Sequence, residues 1–458
     1  MRRKIQAGKY LSPVRRIERT APLSKKRLVA MTFDDGPSSA FPNPPVRGAE
    51  EQLGLTEELL YILNSYKAKG TFDVIGTTEN NYPDNQGKVG DFTWSGVRFD
   101  HYPEFGKDKL AGVKNQLELA QKIIAEGHEI ANHGYRHMIF GPMKVVYGKR
   151  THFNTLKEVI EDLSALHQLV NEQLNYKIRL SRPPHYIDKI PGGHTSYDAY
   201  HYMNYNYLAA SFDGGGWIPS CGEYAQDVKV MTDPIKQALE KNPDALNGQI
   251  IFQKDGFNMS LQTPVTTALE SGLKMLSDAG YEVVTASELL ALSPFEDIGD
   301  VDPVFEAVRK LADSGYVIGY KNNTFQPDRP VTRGELAMMT VAPEILLNEY
   351  RSLVDMATEG RGIPAPMFKD VPLNHPYRIA IEKAAAAGWL TRVNAERKFR
   401  PDDFVTPIEF AEFLGTRAAG SNVEWNPNEF KGIGVPPEKP DILRRRDIIG
   451  ALAQINLK

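Results

Sequence analysis

The chain has 458 residues, of which 41% are hydrophobic and 24% charged, and its formal net charge is −4. This length suits two or three globular domains, and the nearly balanced charge gives no indication of nucleic-acid binding. The single cysteine excludes an internal disulfide, and no apolar stretch approaches the ~18 residues of a membrane-spanning helix.

The start of the chain is basic. Residues 1–28 contain ten lysines or arginines and a single acid, Glu18. We interpret residues 1–26 as a basic arm, which could contact an anionic polymer or a membrane surface or could be a solvated tail. No apolar segment typical of a secretory signal follows the first basic residues.

Residues 27–292 alternate between short apolar runs and amphipathic stretches, which predict strands and helices respectively. In chain order we predict strand 28–33, helix 56–69, strand 70–76, helix 116–127, strand 129–132, helix 156–175, strands 208–212 and 249–252, helix 263–280 and strand 281–285. This alternation indicates a parallel α/β sheet or barrel. Residues 79–112 interrupt it with a long insertion, which is typical of a lid or binding loop.

After residue 293 the sequence becomes repetitive. Four short blocks, which begin at Phe295, Gly315, Phe325 and Val331, recur at Phe368, Gly388, Phe399 and Val405, at an offset of 73 or 74 residues. Matched blocks at one offset indicate an internal repeat. We therefore predict a first repeat at 293–342, a linker at 343–366, a second repeat at 367–420 and a degenerate third repeat at 421–458.

Side chains capable of metal-assisted hydrolysis follow two of the predicted strands. Asp34 and Asp35 end the first strand, and His133 and His137 follow the strand at 129–132. Asp35 and the two histidines can supply three metal ligands, whether the histidines share a helix face or are brought together by a turn. The remaining carboxylate, Asp34, is placed to act as a base in the hydrolysis of an amide or ester.

Five motifs within about residues 27–292 resemble those of the polysaccharide deacetylases of carbohydrate esterase family 4. The clearest are TFDDGP at 32–37, HGYRH at 133–137 and RPPHY at 182–186, although Gly134 stands where the family has Ser or Thr. The resemblance implies a distorted (β/α) barrel that removes N- or O-acetyl groups from chitin, peptidoglycan or xylan. It also implies a divalent metal, zinc by preference, with cobalt, nickel or manganese as alternatives.

The same resemblance implies roles for individual residues: Asp34 as catalytic base, Asp35, His133 and His137 as metal ligands, Arg182 as the group that orients the base, and Pro183, Tyr186 and Trp217 as substrate-binding residues. Two motifs depart from the family pattern. Gly216 precedes Trp217 where the family has an acid, and Lys254 stands where the family has its general-acid histidine. Lys254 could stabilise an oxyanion or act as the acid, and His185 and His194 are alternative acids.

The repeats resemble S-layer homology modules, which act in threes and bind secondary cell-wall polysaccharide through arginines and aromatic residues. The resemblance implies polymer binding by Arg333, but the second repeat has Pro407 at the matching position. It also has Thr391 where the first repeat has Gly319. The alternative is that these helices only pack on the enzyme domain.

Together these patterns predict an α/β domain with a distorted (β/α) barrel followed by a mainly α-helical repeat domain. The predicted function is metal-dependent deacetylation of a cell-wall or related polysaccharide, with repeats that bind an envelope polymer. A carbohydrate-binding pseudoenzyme and a hydrolase of a different amide are the alternatives, because the usual acid pair is replaced. The repeats indicate the cell envelope of a bacterium, and the absence of a visible signal leaves the cytoplasm as the alternative location.

Overall fold

The computed structural model describes residues 8–77, 109–145, 148–149, 151–218, 220, 222–258, 260–390, 396–418 and 442–454. Most of the predicted insertion at 79–112 lies outside the described residues, as do Thr391 and most of the predicted third repeat. The chain divides into two compact units, one of residues 16–292 and one that joins the first 15 residues to residues 293–458. None of the described helices has the length and apolar character needed to cross a bilayer.

The first unit contains all the strands of the described part of the chain. They are β1 (Arg16–Ile17), β2 (Arg27–Asp34), β3 (Thr71–Val74), β4 (Glu129–Asn132), β5 (Lys144–Val145), β6 (Gly148–Lys149), β7 (Leu180–Ser181), β8 (Lys189–Ile190), β9 (His194–Thr195), β10 (Asn206–Leu208), β11 (Phe212–Asp213), β12 (Ile250–Lys254) and β13 (Tyr281–Val284). Nine of them form one parallel sheet in the order β1-β10-β7-β4-β3-β2-β12-β11, with β13 also paired to β2.

Strand β2 lies inside this sheet and pairs with three other strands, β3, β12 and β13. All of its residues after Arg27 are buried, as expected for a strand that is covered on both faces. Its first half pairs with β13, from Arg27 to Ala30, and its second half pairs with β12, from Ala30 to Asp34. Strand β2 is thus long enough to pair with both strands.

The described residues of this unit also form seven α-helices. They are α1 (Leu55–Ser65), α2 (Leu117–Ala125), α3 (Leu156–Leu174), α4 (Ser196–Met203), α5 (Tyr224–Lys241), α6 (Pro264–Asp278) and α7 (Ala286–Leu292). The sequence explains several of their first residues. The hydroxyl of Thr155 accepts a hydrogen bond from the Glu158 N–H at 3.2 Å, and the Glu158 carboxylate accepts one from the Thr155 N–H at 3.3 Å, so α3 begins in a capping box. Proline opens α6, where its missing N–H costs no helical hydrogen bond.

The predicted parallel α/β domain followed by a mainly helical region is confirmed, but the predicted strand at 208–212 is wrong. Strand β10 ends at Leu208 beside β1 and β7, whereas β11 begins at Phe212 beside β12. Between them the Ala209 N–H donates to Ile17 O and the Ser211 N–H donates to Ile250 O. The chain thus moves from one part of the sheet to another within three residues, which a continuous apolar run does not reveal.

The second unit is helical. Its helices are α8 (Phe305–Asp313), α9 (Arg333–Met338), α10 (Pro343–Thr358), α11 (Arg378–Ala386), α12 (Pro407–Ala418) and α13 (Arg445–Gln454). The segment predicted as a linker, 343–366, contains helix α10 and so is not an irregular connection. Each of the two recognised repeats contributes two helices, α8 with α9 and α11 with α12.

Three equivalent backbone segments meet inside this unit in a closed ring of hydrogen bonds. The Val405 N–H donates to Val331 O and the Val331 N–H donates to Leu443 O, both at 2.9 Å. The Leu443 N–H closes the ring by donating to Val405 O at 3.4 Å. In each segment the residue after the ring residue donates its backbone N–H to a nearby acid. The pairs are Thr332 with Glu335, Thr406 with Glu409 and Arg444 with Asp447. Leu443 therefore occupies the position equivalent to Val331 and Val405.

The basic N-terminal segment does not form one continuous arm. Leu11 and Val14 are buried in the repeat unit, where the Leu11 N–H donates to the hydroxyl of Tyr377 at 2.6 Å. The Arg15 guanidinium donates to Asn323 Oδ1 at 2.7 Å. The following residues, Arg16–Ile17, form β1 of the sheet. The predicted boundary at residue 26 is therefore wrong, because apolar residues between the basic ones anchor the segment.

Candidate active site

The carboxyl ends of five neighbouring strands carry a cluster of charged side chains. Strands β2, β3 and β12 place Asp34 in register with Asp73 on one side and with Lys254 on the other. His133 directly follows β4, and Arg182 directly follows β7. Because parallel strands end at a common edge, residues far apart in sequence meet there. The strand order thus assembles the site.

Asp35 is held in an unusual backbone conformation at the end of β2. Its φ is 81°, and its N–H donates to Asp73 O at 3.2 Å. The next residue has to be glycine, because a Cβ on Gly36 would lie 1.9 Å from an oxygen of the Asp255 carboxylate. That carboxylate accepts a hydrogen bond from the hydroxyl of Thr56 at 2.7 Å, and burial raises the pKa of Asp255 to about 7. The tight turn therefore depends on a buried group that the sequence analysis did not identify.

A turn, not a helix, brings the two histidines together. Gly134 has a φ of 86° and His137 a φ of 52°, so the chain reverses between them and the ring centroids of His133 and His137 lie 5.0 Å apart. The positive φ explains glycine at a position where a Ser or Thr side chain would be strained. The Tyr135 N–H donates to the buried carboxylate of Asp162 at 2.8 Å, which holds the turn in place.

Asp35, His133 and His137 converge on one point. The Asp35 Oδ1 atom lies 3.1 Å from His137 Nε2 and 3.3 Å from His133 Nε2, and all three residues are buried. Ligand atoms of these three residues lie within 4.8 Å of one another, the arrangement of a possible metal-binding group. Two imidazole nitrogens and a carboxylate oxygen suit zinc and similar divalent ions. The donor set therefore fits a divalent metal.

Arg182 and Asp34 form a buried ion pair beside this group. The Arg182 side chain is fully buried, and its guanidinium also donates to the hydroxyl of Thr32 at 3.0 Å and to Leu208 O at 3.2 Å. These contacts fix the plane of the guanidinium and hence the orientation of the Asp34 carboxylate. The roles of Asp34 as base and of Arg182 as the group that orients it stay predictions.

Lys254 approaches Asp35 from β12, which pairs with the end of β2 on the side away from β3. The side chain is buried, its ammonium forms an ion pair with the Asp35 carboxylate, and burial lowers the pKa of Lys254 to about 7. A Cβ on Gly216 would lie 3.6 Å from the Lys254 Cβ, so the glycine-rich loop passes directly over the lysine. Trp217, at the end of that loop, is partly exposed and donates from Nε1 to Asp213 Oδ1 at 3.2 Å.

The RPPHY motif at 182–186 lies next to His137 of the metal-binding group. Pro183 is buried and precedes a single 3-10 turn, Pro184–Tyr186. His185 is partly buried with a φ of 55°, and its ring centroid lies 5.4 Å from that of His137. Tyr186 is partly exposed and stacks on Tyr207. His194 lies in the β8–β9 hairpin, where its Nδ1 is 4.0 Å from the Asp198 carboxylate.

A further buried acid, Asp73, also belongs to the cluster, and the sequence analysis missed it. Its Oδ2 atom lies 3.3 Å from His133 Nδ1 and 3.9 Å from Arg182 Nε. Burial raises the pKa of Asp73 to about 6. A charged residue inside a short, buried strand was the available sequence signal.

Arg333, the residue predicted to bind polymer, lies in the second unit and is buried. Its guanidinium forms an ion pair with Glu409 at 2.7 Å and lies 4.8 Å from the centroid of the Phe399 ring. Arg445 makes a similar contact, since its buried guanidinium lies 4.4 Å from the centroid of the Phe325 ring. These arginines join one repeat to the next, and polymer binding by Arg333 stays a prediction.

Comparison with known families identifies two parts of the chain. The model of the polysaccharide deacetylase family matches residues 22–187, which contain Asp34, Asp35, His133, His137 and Arg182. The model of the S-layer homology domain matches residues 294–337 and 368–411. Lys254 and Trp217 lie beyond the first match.

Individual relatives are distant. A peptidoglycan-N-acetylglucosamine deacetylase of Bacillus cereus is 24% identical over 285 residues, which are 62% of this chain and 96% of the relative. The peptidoglycan-N-acetylmuramic acid deacetylase PdaC of Bacillus subtilis is 21% identical, over 58% of this chain and 39% of the relative. The solved structure of PdaC covers 58% of this chain and 90% of its own, with a TM-score of 0.36 and 20% identity. The chain therefore carries a polysaccharide deacetylase domain followed by two S-layer homology repeats.

Proposed function

We propose that the unit of residues 16–292 removes acetyl groups from a cell-wall polysaccharide in a metal-dependent reaction. The observation that carries this proposal is the convergence of Asp35, His133 and His137 beside the Asp34–Arg182 ion pair. A divalent cation, with zinc as the first candidate, would supply Lewis-acid polarisation of the acetyl carbonyl oxygen. The names of the two peptidoglycan deacetylase relatives make peptidoglycan the first substrate to test.

The protein's own side chains divide the remaining work. Asp34, oriented by Arg182, takes the proton of the attacking water. Lys254 contributes positive charge next to the oxygen on which negative charge develops. Protonation of the leaving amine falls to His185 or to Lys254. Pro183, Tyr186 and Trp217 form the walls that receive the sugar.

Acetate release tests this function. N-acetylglucosamine oligomers and peptidoglycan are incubated with the full chain, with added zinc or cobalt and with a chelator. We expect release that the chelator abolishes and that Asp34→Asn lowers by about 10²–10⁴-fold. The matched control is Asp278→Asn, because Asp278 lies on the surface and pairs only with Lys274 in a local i,i+4 contact. Turnover by Asp34→Asn at the wild-type rate would contradict the proposal.

One observation favours a second candidate, a sugar-binding protein without turnover. The ammonium of Lys254 already contacts Asp35, and a cation in that position opposes the entry of a metal ion. Saturable binding of acetylated oligomers with no acetate release, with or without metal, would favour this alternative. Turnover of other amides in the absence of sugar deacetylation would favour a third, in which the glycine-rich loop above Lys254 admits a different acyl group.

For the second unit we propose attachment to an envelope polymer, and hence location at the bacterial cell surface. The match to S-layer homology domains supports this, as does the hydrogen-bond ring in which Leu443 takes the place of a third repeat. Co-sedimentation of the full chain with purified cell walls, before and after extraction of secondary polymers, tests it. Sedimentation that extraction does not reduce would contradict polymer binding.

A further inference from the structure

The buried carboxylate of Asp73 is a charged group of the cluster to which the proposed reaction assigns no role. All four residues of β3 are buried, and Asp73 is fully so. A buried charge is strongly unfavourable unless partners compensate it. The partners here are the imidazole of His133, at 3.3 Å, and the guanidinium of Arg182, at 3.9 Å. The contacts of Asp73 therefore all point into the site.

The two ring nitrogens of His133 face different groups. Its Nδ1 lies 2.9 Å from Arg182 O and 3.3 Å from Asp73 Oδ2, whereas its Nε2 lies 3.3 Å from Asp35 Oδ1. Two acceptors beside Nδ1 keep the proton on that nitrogen. The lone pair of Nε2 then points at the convergence point of the ligand group.

Rigid elements hold both members of this contact. Asp73 is paired in register with Asp34 of β2 and with Ala131 of β4. The His133 N–H donates to Val74 O at 2.9 Å, which ties the histidine to the strand that carries Asp73. Backbone pairing thus fixes the main chain of the two residues relative to each other, and both side chains are buried.

We infer that Asp73 is a positioning residue for His133, which it orients and makes a better electron donor through Nδ1. In metal sites a carboxylate in this position behind a ligating imidazole typically strengthens metal binding by 10–100-fold. The inference rests on the proposed function in one respect, namely that Asp35, His133 and His137 hold a divalent cation.

Metal affinity tests the inference without reference to turnover. Zn²⁺ and Co²⁺ dissociation constants are measured for the full chain and for Asp73→Asn and Asp73→Ser. Asparagine keeps the shape and removes the charge, whereas serine removes both. We expect dissociation constants roughly 10–100-fold larger in both variants. The matched control is Glu129→Gln.

Glu129 suits this purpose because it is also buried but lies at the opposite end of β4. Its carboxylate accepts hydrogen bonds from the Thr71 hydroxyl at 2.8 Å and the Ser287 N–H at 3.1 Å. It should bind metal within about twofold of wild type, well below the 10–100-fold effect of a residue behind a metal ligand. Wild-type affinity in both Asp73 variants would overturn the role of Asp73 alone. Failure of the wild-type chain to bind either ion would overturn both the role of Asp73 and the metal-dependent function.

If neither Asp73→Asn nor Asp73→Ser folds, the contact between Asp73 and His133 can be tested on the wild-type protein by its proton resonances. The Nδ1 proton of His133 should resonate downfield of that of His152. Both face a backbone carbonyl, Arg182 O at 2.9 Å and Phe153 O at 2.8 Å, but only His133 also faces a carboxylate, that of Asp73 at 3.3 Å. A charged acceptor makes a stronger hydrogen bond than a neutral one. Coincident resonances for the two histidines in the metal-free protein would overturn the inference.

Discussion

The ammonium of Lys254 forms a buried ion pair with the carboxylate of Asp35, the same group that converges with His133 and His137. The proposed role of Asp35 as a metal ligand therefore competes with its ion pair to the lysine. We expect Lys254 to affect metal binding as well as the proposed proton transfer.

Replacing Lys254 by methionine should tighten metal binding and slow turnover. The neutral side chain releases Asp35, so we expect the Zn²⁺ dissociation constant to fall about tenfold or more, since charges within a few ångströms interact by several kcal/mol. Loss of the positive charge should lower kcat by about 10²–10³-fold. Calorimetry and acetate release measure the two effects. Lys274→Met, on the surface, is the control. Weaker metal binding in Lys254→Met would show that the lysine does not compete.

Asp34 and His137 should separate chemistry from metal binding. Asp34→Asn removes the base but leaves Asp35 and both histidines, so the metal dissociation constant should stay within about threefold while turnover falls 10²–10⁴-fold. His137→Ala removes a ligand, so both metal binding and turnover should be lost. Equal loss of metal from both variants would mean that Asp34 is itself a ligand.

His185 should matter most for poor leaving groups. Its ring lies beside that of His137 and is partly exposed, whereas Lys254 is buried against Asp35. We expect His185→Gln to lower kcat on N-acetylated sugars by about 10²-fold, because an amine must be protonated as it leaves. The same variant should lose much less on an aryl acetate, whose phenolate needs no acid. A uniform loss on both substrates would assign His185 to binding instead.

Leu11→Ala should destabilise the repeat unit. Leu11 is buried there, and a cavity at such a position costs about 2–5 kcal/mol. Hydrogen exchange should therefore quicken for the amides of α8 to α12, while those of β2 to β4 keep their protection. Leu373→Ala, at an exposed position of the same unit, serves as the control. Unchanged exchange in Leu11→Ala would mean that the N-terminal segment does not support the unit.

His128 should make the α/β unit less stable in acid. Burial, with a contribution from Lys69, lowers the pKa of His128 from 6.5 to about 4, and its Nδ1 accepts a hydrogen bond from the Gly70 N–H at 3.0 Å. A depressed pKa means that the unfolded chain binds the proton first, so the stability from this group is complete above pH 6.5 and is lost as the pH falls towards 4.

His128→Asn should therefore reduce the loss of unfolding free energy between pH 7 and pH 4 by up to about 3 kcal/mol. Urea denaturation at a series of pH values measures this difference. An equal slope in the wild-type and variant proteins would contradict the assignment.

Sequence patterns located most of the α/β elements to within a few residues, because each element carries its own periodicity. They missed β7 and α4, which are too short or too polar to stand out, and α5, whose polar stretch includes Pro234. They also joined β10 and β11 into one strand, since a change of partner within a sheet leaves no local trace. The patterns located Asp35, His133 and His137 because each lies within five residues of the end of β2 or β4.

Local sequence patterns identified the residues from which the site is built: two carboxylates and two histidines after apolar strands and an arginine in a proline-rich turn. They also identified the later repeat. The pairing of these groups could not be read from local patterns. Asp73 reaches His133 and Lys254 reaches Asp35 through the order and register of parallel strands, which depend on packing over the whole sheet. The ring of Val331, Val405 and Leu443 has the same origin. Local propensity specifies an element, but contacts between distant elements are set by the burial of their shared apolar faces.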